Sequence, residues 1–201
     1  MKKLLLILLC LPIIGFGQEQ INIIDVKGYH YNDILNNMIE CNLSIKYDET
    51  NQVTYFYISE TISTVAYSLS KEDVFRLNEI FEKYFEWEKK AIEMKVKLDK
   101  SIDDRLFIGW FKYGNGDWAN SKNKNCSFNA LFFSQSEEKH QLVFQLGKIT
   151  DYSNKYNTHN PQTIYLSKSQ VSSLRKGFSK DYISMILDKE KEQKSIEDMF
   201  K

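Results

Sequence analysis

Residues 69–85 read LSKEDVFRLNEIFEKYF, and residues 166–182 read LSKSQVSSLRKGFSKDY. The two segments are identical at seven of 17 positions, with an offset of 97. Each has apolar residues at three- and four-residue steps, which is typical of an amphipathic helix. Helical spacing explains the shared Val, Leu and Phe but not the shared Leu-Ser-Lys entry, whose serine is a favoured N-cap. The match therefore predicts that one structural unit occurs twice in the chain.

Strand patterns precede both helices. Between residues 39 and 47, apolar side chains alternate with polar ones, as in a strand with one buried face. Similar patterns predict four strands in the first half, at 21–26, 39–47, 53–59 and 65–69, and four in the second, at 106–113, 126–135, 140–149 and 163–167. A helix follows each set, over about 70–100 and from Ser167 onward, where Gln170 completes a capping box.

These elements predict an α+β fold. We expect an antiparallel sheet of up to eight strands, with two long helices on one face, built as a tandem ββββα duplication. Residues 18–100 form the first repeat and residues 101–201 the second, within one globular unit.

The chain begins with MKKLLLILLCLPIIGFG, residues 1–17. Two lysines, an apolar run and two glycines before Gln18 are the pattern of a secretory signal peptide. The apolar run of about a dozen residues is shorter than the ~20 needed to span a bilayer. We therefore expect no integral membrane segment after cleavage, and export to the periplasm, the outer surface or the medium.

Cys41 and Cys126 are the two cysteines that follow residue 17. They lie at an offset of 85, at equivalent positions of the two predicted repeats. In an oxidising compartment an even number of cysteines favours a disulfide. Such a bond would place the second strands of the two repeats side by side in one sheet. The alternative is two buried free thiols, since cysteine is often a small core residue.

Composition and motifs argue against several function classes. The 27 basic residues balance the 27 acidic ones, so the chain lacks the positive charge expected of a nucleic-acid-binding protein. The histidines His30, His140 and His159 belong to no zinc-binding spacing. No phosphate-binding, dinucleotide-binding or serine-hydrolase motif occurs. We therefore assign no metal, cofactor or catalytic residue.

Two loops, at 114–125 and 150–161, are longer than a hairpin needs. Their candidate binding residues are Asp117, Trp118, Tyr152, Tyr156 and His159. Exposed aromatic side chains beside Asn and Asp are suited to stack on a sugar or to anchor a protein partner. The alternative is that Asn, Gly, Asp and Ser form turns while the aromatic side chains cover the ends of the sheet.

Three functions are consistent with these features. The leading hypothesis is an exported, non-enzymatic binding module whose partner is a protein or a glycan. The second is a hydrolase of cell-envelope or extracellular polymers, with Asp117 and Asp151 as paired carboxylates. The third is an envelope protein that self-associates through the charged helix at 70–100. The sequence leaves both the oligomeric state and the presence of an enzymatic activity open.

Overall fold

The computed structural model describes residues 20–32 and 35–200, and the predicted signal peptide at 1–17 lies outside these residues. The strands are β1 Gln20–Asn32, β2 Asn37–Asp48, β3 Val53–Ser59, β4 Ser63–Leu69, β5 Lys100–Tyr113, β6 Ala119–Asn120, β7 Cys126–Ser134, β8 His140–Leu146, β9 Ile149–Thr150, β10 Thr158–His159 and β11 Ile164–Leu166. The helices are α1 Lys71–Met94, α2 Lys168–Gly177 and α3 Lys180–Asp198.

Eight of the described strands form a closed antiparallel barrel, in the order β1, β2, β3, β4, β5, β7, β8, β11. Two pairings close it: β4 with β5, through residues such as Ser63 and Tyr113, and β11 with β1, through Ile164 and His30. The predicted fold, an antiparallel sheet of up to eight strands with two long helices on one face, is therefore wrong. Closure is favoured because it leaves no edge strand with unpaired backbone groups.

Two β-bulges bend the first strand of each half of the chain. The register of β1 against β2 shifts at Ile23, and that of β5 against β7 shifts at Ile102. A bulge increases the local bend and twist of a strand. Because both isoleucine side chains are buried, the bulges turn these long strands around the core.

Aromatic side chains fill the barrel. Six phenylalanines in its strands are at most 1% exposed: Phe56, Phe107, Phe111, Phe128, Phe132 and Phe144. The ring centroid of Phe128 lies 4.7 Å from that of Phe144 and 5.0 Å from that of Phe107. Aromatic pairs at such distances stabilise by roughly 0.5–1.5 kcal/mol beyond the area that they bury. The interior is thus a packed core.

The helix boundaries differ from the prediction. The helix expected over 70–100 ends at Met94, because Lys95 adopts a left-handed conformation with φ of 53°. The second helix is interrupted: α2 ends at Gly177, and α3 begins after Ser179, whose hydroxyl accepts a hydrogen bond from the Tyr182 N–H. A serine N-cap of this kind starts a new helix. The described chain therefore has three helices rather than two.

Two equivalent phenylalanines join α1 to α2. Phe81 and Phe178 occupy matching positions of the two Leu-Ser-Lys segments, and their rings stack with centroids 6.0 Å apart. Gly177 allows α2 to approach the barrel closely, since a Cβ there would lie 2.4 Å from Ile24 Cγ2. The helices form one layer over the end of the barrel where β4 and β11 finish, termed the helix end below.

Cys41 and Cys126 are both buried free thiols, so the predicted disulfide is wrong. Cys41 lies in β2 and Cys126 in β7, and three strands of the barrel separate β2 from β7 in either direction. The two cysteines are therefore on opposite walls, not on adjacent strands. Each half of the chain does run as a four-stranded meander followed by a helix. The tandem duplication itself stays a prediction.

Candidate functional site

The candidate binding residues lie at the end of the barrel opposite the helices. The β3–β4, β5–β7 and β8–β11 connections all leave the barrel at this end, because neighbouring strands are antiparallel. The two long connections, residues 114–125 and 147–163, are termed the loop surface. The short strands β6, β9 and β10 lie within them.

Direct contacts join the two long loops. The Tyr152 N–H donates a hydrogen bond to the Asn120 carbonyl oxygen at 2.9 Å. The Lys122 Nζ lies 5.2 Å from the centroid of the Tyr152 ring, within the range of a cation–π interaction. The structure thus brings together two loops that the sequence identified separately.

A buried polar cluster anchors the second loop to the β3–β4 turn. Its members, termed the Glu60 cluster, are Glu60, Ser63, Tyr113 and His159. Glu60 Oε2 accepts hydrogen bonds from His159 Nε2 at 2.8 Å and from Ser63 Oγ at 2.5 Å. Glu60 Oε1 accepts one from the Gln162 backbone N–H at 2.7 Å. Both carboxylate oxygens are therefore used to hold the loop.

The histidine of this cluster is fixed from every side. Its ring stacks on Phe111 with centroids 5.6 Å apart, and its Nδ1 lies 3.2 Å from the Tyr113 hydroxyl. The His159 and Glu60 side chains are only 10% and 4% exposed. His159 is therefore an internal support of the loop surface, whereas the sequence suggested it as a binding residue.

Electrostatics keep Glu60 ionised. Burial raises the pKa of this carboxyl, but hydrogen bonds from His159, the Gln162 N–H and Ser63 outweigh burial and lower the pKa below its usual 4.5. Hydrogen bonds to a carboxylate favour its charged form. Because the charge is both buried and hydrogen-bonded, the Glu60 carboxylate is a rigid anchor and not a proton donor.

The Glu60 cluster resembles a catalytic triad in composition but not in geometry. In a triad the nucleophile and the carboxylate contact opposite nitrogens of the histidine ring. Here Ser63 Oγ, at 3.5 Å, and Glu60 Oε2, at 2.8 Å, both face His159 Nε2. The Ser63 hydroxyl also donates to Glu60 and not to the histidine. The arrangement therefore provides no activated nucleophile.

Asp151 organises its own loop. Its Oδ1 accepts from the Ser153 N–H at 3.0 Å and the Ser153 hydroxyl at 2.8 Å, and its Oδ2 accepts from Asn157 Nδ2 at 3.0 Å. The hydrogen bonds from Ser153 lower its pKa first of all, followed by the one from Asn157. A general acid needs a raised pKa. The other candidate carboxylate, Asp117, is exposed in the first loop.

The aromatic candidates differ in exposure. Tyr156 is 83% exposed and Tyr152 is 61% exposed, so both rings are presented to solvent. Trp118 is 38% exposed, because its ring packs against Tyr57 on the outer wall of the barrel, with centroids 5.9 Å apart. Lys112 Nζ covers the tryptophan ring at 5.1 Å. Trp118 therefore attaches the first loop to the barrel, while the two tyrosines are free to contact a partner.

Sequence reasoning missed Glu60, Ser63 and Tyr113. Glu60 and Ser63 read as ordinary residues of a short turn, and Tyr113 reads as the end of a strand. Glu60 and His159 are 99 residues apart. No local pattern connects positions at that separation.

Neither a metal site nor a membrane helix is found in the described part of the chain. No group of three or more His, Cys, Asp and Glu side chains there could hold a metal ion. No helix in residues 20–32 or 35–200 is long and apolar enough to cross a membrane. Comparisons with protein-family models, with curated proteins and with solved structures found no match.

Proposed function

We propose that this protein is an exported, non-enzymatic binding module and that it recognises a protein partner through the loop surface. The observation that carries the proposal is the exposure of Tyr152 and Tyr156 on a loop whose backbone is fixed by Asp151 and by the Glu60 cluster. An aromatic side chain on a rigid loop loses little conformational entropy when it is buried by a partner. Such residues dominate binding energy at protein interfaces.

The composition of the loop surface supports a protein partner. Its two segments contain seven asparagines together with Tyr, Ser and Gly, the residue set that antibody-type binding loops use. Lys122 and Lys155 lie 5.2 Å and 5.1 Å from the ring centroids of the two exposed tyrosines. Neither lysine forms an ion pair among the described residues. Carboxylates on the partner would therefore complement this surface.

The other hypotheses receive less support. A hydrolase would use Asp151 as an acid, yet hydrogen bonds lower the pKa of that carboxyl. Self-association through α1 would need a free apolar face on that helix. The apolar residues of α1 that are buried within the chain are Leu77, Ile80, Phe81, Tyr84 and Ala91. The large apolar side chains of α1 that are exposed, Phe75, Ile92 and Met94, lie at opposite ends of the helix and form no continuous face for a second copy.

The proposal is tested by affinity capture from an extract of the native cell envelope, with the immobilised protein as bait. A Tyr152→Ala/Tyr156→Ala variant should lose at least about 30-fold in affinity for the captured partner, since buried interface tyrosines cost about 2 kcal/mol or more when truncated. Tyr29→Ala removes a tyrosine that is 37% exposed on β1, outside both loops, and is the matched control.

Three results would bear on the interpretation. Equal capture by the wild type and the double variant would refute the loop surface as the binding site. A partner that resists protease but is destroyed by periodate oxidation would be a glycan, and would overturn the protein partner while retaining the site. If Tyr29→Ala also lost the partner, the binding site would not be the loop surface.

A further inference from the structure

A large cleft lies at the helix end, between α1 and the α2–α3 pair. Its volume is about 820 Å³. Small-molecule sites usually measure roughly 300–1,000 Å³ and are lined mainly by apolar side chains with a few polar groups. This cleft, termed the helix cleft, is at the opposite end of the barrel from the loop surface and is independent of it.

Besides nine polar or charged residues, six apolar side chains line the helix cleft. They are Tyr47, Val74, Phe75, Phe178, Ile183 and Leu187. Phe178 is buried and its ring contacts both Phe81 and Phe56, so this part of the lining is continuous with the barrel core. Phe75 also lines the cleft, and its side chain is 60% exposed to solvent. An apolar ligand would bury this ring and gain the corresponding hydrophobic free energy.

The charged residues of the cleft are predominantly basic. Three cations, Lys71, Arg175 and Lys180, line it together with one anion, Glu82. Arg175 pairs with Glu82. Lys71 Nζ donates to the neutral Gln52 Oε1 at 2.7 Å. Neither Lys71 nor Lys180 forms an ion pair with any described carboxylate, which leaves two positive charges uncompensated.

The positions of these two lysines strengthen the preference for an anion. Lys71 is the first residue of α1, and Lys180 is the first residue of α3. The N-terminus of a helix carries a partial positive charge, which adds to that of the lysine. The first turns also contain acidic residues, Glu72 and Asp73 in α1 and Asp181 in α3, but none of these lines the cleft. The charged residues that the two helix starts contribute to the lining of the cleft are thus both lysines.

We propose that the helix cleft binds a long-chain fatty acid. Its alkyl chain lies along the apolar lining, and its carboxylate pairs with the lysines at the helix starts. One alkyl chain suits the volume of the cleft. Its carboxylate supplies a negative charge near the two lysines that form no ion pair with any described residue. The barrel interior is not the site, because phenylalanine side chains pack it.

The test is a fluorescence titration of the full chain with dansyl-undecanoate, followed by displacement with palmitate. Ser184→Trp is designed to fill the cleft, because Ser184 is exposed on α3 and lines it. Met185→Trp places the same ring on α3 at an exposed position outside the lining, and is the matched control. Hexadecanol has the same chain length as palmitate without the charge.

We expect saturable binding of dansyl-undecanoate that palmitate displaces. Ser184→Trp should weaken it at least about tenfold and Met185→Trp should leave it unchanged. The double variant Lys71→Gln/Lys180→Gln should lower the affinity for palmitate by about tenfold but leave the affinity for hexadecanol unchanged, since only the carboxylate pairs with the lysines. Lys189→Gln, outside the lining, should have no effect.

Three results would overturn the proposal. The first is the absence of saturable binding. The second is equal affinity for palmitate and hexadecanol, which would show that the lysines do not recognise a carboxylate. The third is a dimer of the ligand-free chain that Ser184→Trp dissociates and Met185→Trp does not, because the occupant of the cleft would then be a second copy of the protein.

Discussion

Replacing Glu60 with glutamine should lower the free energy of unfolding by about 3 kcal/mol, because two hydrogen bonds to a charged group are each worth about 1.5–3 kcal/mol. The wild-type carboxylate accepts from His159, Ser63 and the Gln162 N–H and is only 4% exposed. The glutamine amide keeps the shape of the side chain, but its NH₂ group, in the place of Oε2, faces both the Ser63 hydroxyl and His159 Nε2. The change therefore removes charge and acceptor capacity without creating a cavity.

The assay is urea unfolding at pH 7, followed by tryptophan fluorescence. With a slope of about 2 kcal/mol per molar urea, a loss of about 3 kcal/mol lowers the unfolding midpoint by about 1.5 M. Glu138→Gln is the matched control, since Glu138 is exposed in the β7–β8 turn, and its midpoint should stay close to that of the wild type. Amides of residues 150–160 should also exchange faster in Glu60→Gln, because the carboxylate anchors that loop.

The pH dependence follows from the lowered pKa of Glu60. A carboxyl whose pKa is lower in the folded state than in the unfolded state stabilises the protein at any pH above its unfolded pKa, here about 4.5. This stabilisation is lost as the pH falls through the pKa of the folded state. The difference in stability between wild type and Glu60→Gln should therefore be constant above about pH 5.5 and shrink below pH 4.5. A midpoint unchanged at pH 7, or a difference that grows with acid, would refute this account of the cluster.

Three further predictions concern the core. Neither Cys41 nor Cys126 should react with iodoacetamide in the native protein, because burial raises the pKa of Cys41 to about 12 and also raises that of Cys126. After unfolding without a reductant, mass spectrometry should show that both cysteines are alkylated. A disulfide would leave both unmodified. Phe178→Ala should cost about 3–5 kcal/mol in urea unfolding, as a large buried ring is lost; a cost below about 1 kcal/mol would contradict its place in the core. Gly177→Val should cost about 1–3 kcal/mol, because the new Cβ would lie 2.4 Å from Ile24 Cγ2; an unchanged midpoint would show that α2 is not packed this closely.

Local patterns predicted the elements better than their assembly. The alternation at 39–47 marks β2, which runs from Asn37 to Asp48, and the capping box at Ser167 is present, with Gln170 Oε1 accepting from the Ser167 N–H at 2.7 Å. These signals depend on neighbouring residues, which the sequence displays directly. The break between α2 and α3 also has a local signal, the N-cap serine at 179, but the apolar spacing of 166–182 predicts a helix that continues through it.

The assembly could not be predicted because it depends on pairing between distant segments. Alternating strands are compatible with an open sheet or a closed barrel, and the pairings of β4 with β5 and of β11 with β1 distinguish them. The proposed disulfide failed for the same reason: the repeat placed Cys41 and Cys126 at equivalent positions, but closure put their strands on opposite walls. The residues that straddle the two halves are instead Phe81 and Phe178.

The pairing of β4 with β5 closes the barrel and thereby brings the Glu60 cluster and both long loops to one end. Native-state amide hydrogen exchange at residues 63–68 and 108–113 tests it most directly. If the barrel is closed, the β4 amides that face β5 exchange as slowly as the amides between β2 and β3, because both are hydrogen-bonded in the sheet. Rapid exchange of those amides, as in the exposed edge of an open sheet, would contradict the closed barrel.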